Sequence, residues 1–109
     1  MRIAIVGSRG VLVSNIEKYV EDCDEIVSGG AKGVDSCAKE YAVRNRIKIK
    51  IFYPDYNTYG RAAPIVRNKE IVEYADKVVA FWDGKSKGTL SVIKYAKKIG
   101  KVCNVVLCQ

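Results

Sequence analysis

The sequence contains no histidine among its 109 residues. This absence excludes Ser-His-Asp and Cys-His catalysis, and it excludes histidine-ligated metal sites. Any reaction would have to rest on carboxylates, lysines, hydroxyls or thiols. Long apolar runs are also missing, since none approaches the roughly 18 residues that cross a membrane. The N-terminal stretch Met1–Val6 is too short for a secretory signal.

Cysteine spacings typical of metal sites are lacking as well. The four cysteines, Cys23, Cys37, Cys103 and Cys108, form no C-x-x-C pair. Because no export signal precedes them, we expect reduced thiols that fill the core of a cytoplasmic protein. The sequence therefore predicts no metal site.

Positive charge is present in excess, with 19 Lys and Arg against 12 Asp and Glu, which gives a net charge of +7. The charge is unevenly distributed, because residues 17–25 hold five acids while residues 84–109 hold six lysines and no acid. A solvated helix surface is one interpretation of this basic region. The other is an electrostatic field that attracts an anionic ligand or a nucleic acid.

Strand-like and helix-like segments alternate along the chain. The strand-like segments are Arg2–Val6, Glu25–Ser28, Ile47–Tyr53, Lys77–Trp82 and Lys101–Leu107. The helix-like segments are Val13–Glu21, Gly33–Arg44, Pro64–Ala75 and Thr89–Ile99, and Pro54–Ala63 is the longest irregular piece, predicted to be the most mobile. This alternation predicts a single α/β domain over residues 1–109, with a five-stranded parallel sheet covered on both faces.

Glycine concentrates where the predicted strands end. Every glycine except Gly100 lies in one of four segments that leave these carboxyl ends. The segments are Gly7–Gly10, Gly29–Asp35, Tyr53–Ala63 and Asp83–Thr89. Ligands of open parallel sheets bind at this edge. We interpret the clustering as one ligand cleft.

The loop at 83–89 is suited to binding phosphate, because it joins a strand to a helix with two glycines, two lysines and two hydroxyls. Backbone N–H groups and the positive end of a helix dipole favour an anion there. The candidate ligand-binding residues in the loops are Gly7, Ser8, Arg9, Gly29, Gly30, Gly33, Asp35, Asp83, Gly84, Ser86, Lys87, Gly88 and Thr89. A P-loop is excluded, because Val79 stands where its first glycine is required.

Arg67 and Asn68 are further candidates, because the helix that holds them begins at the same edge. Arg67 could grip a phosphate and Asn68 could bind a base edge or ribose. Structural alternatives exist for these candidates. Arg67 and Asn68 could form exposed helix surface. Ser8 and Asp35 could each cap a helix, although Asp35 could also hold a ribose hydroxyl. Trp82 could stack on a base or cover the core.

Four ordered motifs resemble the SLOG superfamily. They are RIAIVGSR at 2–9, SGGAKGVD at 28–35, GRAAPIVRN at 60–68 and FWDGKSKGT at 81–89. Over nearly its whole length the chain is similar to the YspA-like branch of small Rossmann-like proteins. The superfamily includes the DNA-processing protein A family, which binds single-stranded DNA, and the "lonely guy" phosphoribohydrolases, which release cytokinins from nucleotides. The resemblance implies a Rossmann-like three-layer α/β/α fold and a nucleotide-derived ligand at the glycine loops.

One departure from that family bears on activity. The phosphoribohydrolases carry P-G-G-x-G-T-x-x-E, whose glutamate helps to cleave the N-glycosidic bond. Aligned on Gly88 and Thr89, the glutamate position is Val92, which can neither stabilise a cationic centre nor activate water. Asp83 is the carboxylate that could substitute for it. We expect a binding site with no assigned catalytic residue.

Three functions follow from these observations. The first is a cytoplasmic module that binds a nucleotide or nucleotide-derived ligand without hydrolysing it. The second is single-stranded DNA binding, and the third is a nucleotide-processing enzyme with a degenerate site, which could use magnesium. We expect no membrane partner. A homodimer is compatible with the domain, although no interface is specified.

Overall fold

The sheet of the molecule is entirely parallel. The structure, a computed structural model, describes residues 1–8, 10–13, 15–21, 23–30 and 33–108. Its strands are β1 (Arg2–Gly7), β2 (Glu25–Ser28), β3 (Lys48–Ile51), β4 (Lys77–Trp82) and β5 (Val102–Leu107). They form one sheet in the order β3-β2-β1-β4-β5, with every neighbouring pair parallel. The predicted five-stranded parallel sheet is confirmed.

Helices cover both faces of the sheet. They are α1 (Val34–Arg44), α2 (Tyr56–Tyr59), α3 (Ala63–Tyr74) and α4 (Lys87–Lys98), with short 3-10 helices at Ile16–Lys18 and Gly60–Ala62. Helix α1 packs on β1, β2 and β3. On the other face α3 packs against α4, and α4 covers β4 and β5. The arrangement is the Rossmann-like three-layer α/β/α fold that we expected.

Strands β1 and β4 are buried on both faces, which explains their almost continuous apolar sequences. In β1, Ile3 and Ile5 contribute to a core with α1, while Ala4 and Val6 contribute to a core with α3 and α4. The ring of Phe81 in β4 is 2% exposed and packs edge-on against Tyr19, with the ring centroids 5.1 Å apart. The fold is therefore organised around β1 and β4.

The predicted helix at Val13–Glu21 is wrong. Only Ile16–Lys18 forms a 3-10 helix in the described part of this segment. Ile16 and Val20 of this segment are nevertheless both buried. The acids of residues 17–25, however, place negative charge at what would be the carboxyl end of a helix, where the dipole disfavours it.

The prediction of an irregular loop over Pro54–Ala63 is also wrong. Helix α2 and the second 3-10 helix occupy most of it. Asp55 explains the difference, because its side chain accepts a hydrogen bond from the backbone N–H of Thr58 at 3.2 Å and thereby caps α2. The other predicted strands and helices agree with the structure to within two residues at each end.

The cysteines are free thiols, and all four are half-buried. They pack at the margins of the two cores, and so are less buried than the core-filling thiols that we expected. Burial raises the pKa of Cys23 and of Cys103 above the ordinary value for a thiol. In the part of the chain that the structure describes, no helix combines the length and the apolar surface needed to cross a bilayer.

The strand order reverses at β1, with β2 and β3 on one side and β4 and β5 on the other. The carboxyl ends of β1 and β4 are neighbours, and Gly7 pairs with Phe81. Connections leaving two such strands diverge to opposite faces and leave a crevice between them. The fold thus places its crevice beside Gly7.

Gly7 and Gly88 provide a matched test of this packing. A Cβ atom at Gly7 would lie 2.5 Å from Cγ2 of Val34 and 2.9 Å from the carbonyl oxygen of Phe81, whereas one at Gly88 would meet nothing within 4 Å. We expect Gly7→Ala to lower the free energy of unfolding by about 1–3 kcal/mol through overpacking. Gly88→Ala should raise it by up to about 0.5–1 kcal/mol through helix propensity. Urea denaturation measures both, and wild-type stability for Gly7→Ala would contradict the close packing.

Candidate functional site

A cleft of about 470 Å³ lies at the carboxyl ends of β1 and β4. Its size is within the range of small-molecule sites in proteins. The described residues that line it are Val6, Gly7, Ser8, Gly10, Gly29, Asp35, Pro64, Arg67, Asn68, Ile71, Asp83, Ser86, Gly88, Thr89 and Val92. Three of the four predicted glycine segments therefore meet at this cleft.

Ser8 joins the first and last of these segments. The residue is 2% exposed, and its backbone N–H donates to the carbonyl oxygen of Phe81 at 3.1 Å. Its hydroxyl accepts a hydrogen bond from the backbone N–H of Asp83 at 3.3 Å. The hydroxyl therefore holds the two loops together, in place of the helix cap that we considered from the sequence.

Asp83 shapes the loop that follows β4. Its Oδ1 accepts hydrogen bonds from the backbone N–H groups of Lys85 and Ser86, both at 2.8 Å. These bonds, led by the one from Ser86, hold the pKa of the Asp83 carboxyl below its ordinary value. A carboxylate with a lowered pKa is a weak base, so Asp83 is poorly suited to replace a catalytic glutamate.

The N-terminus of α4 faces the same cleft. Ser86 caps the helix, because its hydroxyl accepts a hydrogen bond from the backbone N–H of Thr89 at 3.3 Å. Gly88 lies in the first turn, where backbone N–H groups lack intrahelical acceptors. Since Gly88 has no side chain and lines the cleft, the positive end of the helix dipole is accessible to an anion there.

Arg67 of α3 crosses to the loop after β2. Its Nη1 donates to the carbonyl oxygen of Gly29 at 2.7 Å, and its Nε donates to Oδ1 of Asn68 at 2.9 Å. A guanidinium has five N–H donors, so these two bonds leave three for other acceptors. The half-buried side chain is thus held at the cleft with donors to spare.

Asp35 lies in the first turn of α1 and is 7% exposed. Its position suits the helix dipole, which favours a carboxylate at this end. Arg67 is the one cation among the described lining residues, against the two carboxylates Asp35 and Asp83. Among these described residues, the groups that can bind an anion are directed N–H groups and Arg67.

Several predicted residues do not line the cleft in the described structure. Gly30, Gly33 and Gly84 adopt positive φ angles of 71°, 76° and 81°. Glycine is therefore needed at these positions for the backbone conformation of the loops. Lys87 lies on the outer side of α4. Arg9 is outside the described residues.

Aromatic candidates are also absent from the described cleft lining. Trp82 packs against the core, and its Nε1 donates to the carbonyl oxygen of Ser86 at 3.0 Å, so it covers the core and braces the loop. Tyr53, Tyr56 and Tyr59 are exposed, and the segment Tyr53–Ala63 contributes no described residue to the lining.

The apolar part of the cleft, which was not predicted from the sequence, is formed by Val6, Pro64, Ile71 and Val92. Val92 was considered only as the replacement for a glutamate. A signal was available, because residues four apart share a helix face. Ile71 follows Arg67 by four positions and Val92 follows Gly88 by four.

A second surface depression of about 460 Å³, the lysine groove, lies between α3 and α4. It is lined by Lys69, Lys87, Leu90, Ser91, Lys94, Tyr95 and Lys98. The ammonium group of Lys69 lies 5.6 Å from the centre of the Tyr95 ring.

Among the described residues, no group of three or more acidic or cysteine side chains is arranged to hold a metal ion.

The lowered pKa of Asp83 gives a pH-dependent prediction. The hydrogen-bonded carboxylate should stabilise the loop above the unfolded-state pKa of about 3.9, and this stabilisation should be lost as the pH falls through the lower folded-state value. In an NMR titration, the amide resonances of Lys85 and Ser86 should shift together with the Asp83 carboxyl. Asp83→Asn should abolish those shifts. Wild-type resonances that do not move on acidification would contradict the hydrogen-bonded loop.

Comparison of the chain with models of known protein families gives no match, and comparison with curated proteins gives none.

Proposed function

We propose that the protein binds a nucleotide or a nucleotide-derived ligand in the cleft between β1 and β4, in the cytoplasm and without hydrolysing it. The observation that carries this proposal is the meeting of the α4 N-terminus at Gly88, the guanidinium of Arg67 and the carboxylate of Asp35 in one cleft of about 470 Å³. Each of these groups suits a different part of such a ligand.

The phosphate would bind at the N-terminus of α4. Backbone N–H groups of the first turn and the helix dipole attract an anion, and the absence of a side chain at Gly88 allows close approach. Arg67 adds a planar set of donors that matches phosphate oxygens.

The nucleoside would occupy the rest of the cleft. The carboxylate of Asp35 can accept hydrogen bonds from ribose hydroxyls, as acidic residues do in dinucleotide sites. The apolar side chains of Val6, Ile71 and Val92 offer a surface for a base or another apolar group. This combination of a polar end and an apolar wall is typical of small-molecule sites.

Binding without hydrolysis follows from the carboxylates. Val92 is 2% exposed and lines the cleft, at the position where phosphoribohydrolases carry their glutamate. Asp83 is engaged by the amides of its own loop and is a weak base. The resemblance of the four motifs to the SLOG superfamily supports the same proposal.

A thermal-shift panel of mono-, di- and cyclic nucleotides and nucleotide sugars tests this proposal. A ligand at 100 times its dissociation constant should stabilise the fold by about 2.7 kcal/mol, and each kcal/mol should raise the melting temperature by roughly 4–8 °C. Arg67→Ala should abolish the shift, whereas Lys69→Ala, two positions along α3 and outside the cleft, should preserve it. No shift across the panel would refute the proposal.

Mass spectrometry of each ligand that gives a shift tests for hydrolysis. The ligand should be recovered unchanged after incubation with the protein, and its conversion to a product, with or without magnesium, would establish the enzymatic alternative.

Single-stranded DNA binding is a second candidate, and the lysine groove is the observation that favours it. Four lysines line the groove together with Leu90 and Tyr95, and one of them, Lys87, is the first residue of α4. Cationic side chains beside an aromatic ring are a common surface for single strands, since phosphates and bases can both be contacted.

Fluorescence anisotropy with labelled oligonucleotides tests this candidate. Affinity should fall with salt at a log–log slope of about −0.7 for each phosphate contact. Lys94→Ala should weaken binding and reduce the slope by one such contact, whereas Lys39→Ala on the opposite face of the sheet should change neither. Absent or salt-independent binding would exclude this function.

A further inference from the structure

The two edges of the sheet differ in their protection against pairing. At one edge β3 has four residues, and its Lys48 and Lys50 are exposed. At the other edge β5 has six residues, Val102–Leu107, and none of them is charged. Exposed lysines and short strands are the usual means by which proteins prevent edge pairing. The edge at β5 lacks both.

Apolar side chains on β5 are exposed to an unusual extent. Val102 is 63% exposed, Leu107 is 61% exposed and Val105 is 38% exposed. Helix α4 packs on one face of β5, whereas α1, on the other face, packs over β1, β2 and β3. The strand therefore presents both an open edge and apolar side chains beside it.

Hydrogen bonding within the sheet identifies the unpaired backbone groups. The N–H of Cys108 donates to the carbonyl oxygen of Trp82 at 2.7 Å, and Trp82 pairs with Leu107. In a parallel ladder this pattern directs the N–H and C=O groups of Leu107 away from β4. Because the pattern repeats every two residues, the same groups of Cys103 and Val105 also face outward.

We propose that β5 pairs with β5 of a second copy, antiparallel and across a two-fold axis at Val105. The outward-facing residues are spaced evenly about Val105, so the axis matches Cys103 with Leu107 of the second copy and Val105 with its own counterpart. Each of these three pairs then exchanges two N–H···O=C hydrogen bonds. The two sheets become one continuous sheet.

A second copy fits this edge because the edge is complementary to itself. With the axis at Val105, residues 102–108 face only uncharged residues of the other strand. The same operation on β3 would bring the lysines of two copies together, and like charges across strands are destabilising. An unrelated peptide could use the same hydrogen bonds, and in that case the wild-type chain alone would be monomeric.

Charge elsewhere on the molecule predicts a salt dependence. Each chain has a net charge of +7, so two copies repel each other at long range. Added salt screens this repulsion and leaves the uncharged contact between the edges unaffected. The dimer should therefore become tighter as salt increases, which is opposite to the dependence expected for oligonucleotide binding.

Analytical ultracentrifugation of the wild-type chain and three variants at Val105 tests the proposal. The wild type should be dimeric at micromolar concentration. Val105→Pro should be monomeric and folded, because the N–H that it removes is not used by β4 and proline is tolerated at such edge positions. Val105→Lys, which places two cations at the axis, should also be monomeric. Val105→Thr keeps the β-branched shape and the N–H and should remain dimeric.

Hydrogen exchange measured by NMR tests the register. The amides of residues 103, 105 and 107 should exchange fast in the monomeric Val105→Lys variant and slowly in the wild-type dimer, whereas amides bonded to β4 should be protected in both. A monomeric wild type at high micromolar concentration would overturn the proposal. Dimers that persist in Val105→Lys, or that leave these three amides unprotected, would overturn it equally. If Val105→Pro fails to fold, Val105→Lys supplies the comparison.

Discussion

The close approach of β1 to β4 at Gly7 determines where the other functional elements lie. Because no side chain fits between Gly7, Val34 and the carbonyl group of Phe81, the two strands can end side by side. Ser8 follows immediately and binds the backbone of the loop after β4 through its hydroxyl. The cleft, the cap of α4 and the position of Gly88 all depend on this junction.

The strands were predictable because strands buried on both faces need continuous apolar runs, and β1 and β4 have them. The edge of the sheet that holds the cleft was predictable for a topological reason, since glycines gather where parallel strands end. What could not be predicted was which loop glycines face the cleft, because Gly30 and Gly33 are required by their backbone angles and Gly29 by its contact with Arg67. The helix predicted over Val13–Glu21 failed because the acids at its carboxyl end oppose the helix dipole.

The basic character of the chain and its cleft are separate features. Lysines of α4 line the outer lysine groove, while the cleft holds Arg67 with the carboxylates of Asp35 and Asp83. Net charge alone would have suggested that the cleft itself is strongly basic. The lysines of α4 instead place a positive field at the surface, whereas the charged groups described in the cleft are of both signs.

The contact between Arg67 and the carbonyl oxygen of Gly29 has a thermodynamic consequence. A ligand that takes over this guanidinium donor leaves the carbonyl group to find water or another donor, so the segment after β2 must respond to occupancy. Linkage makes two factors equal: the factor by which release of Arg67 from that segment changes ligand affinity, and the factor by which the ligand changes the equilibrium for that release. Residues of the segment after β2 would thus tune the affinity of the proposed site without contacting its ligand.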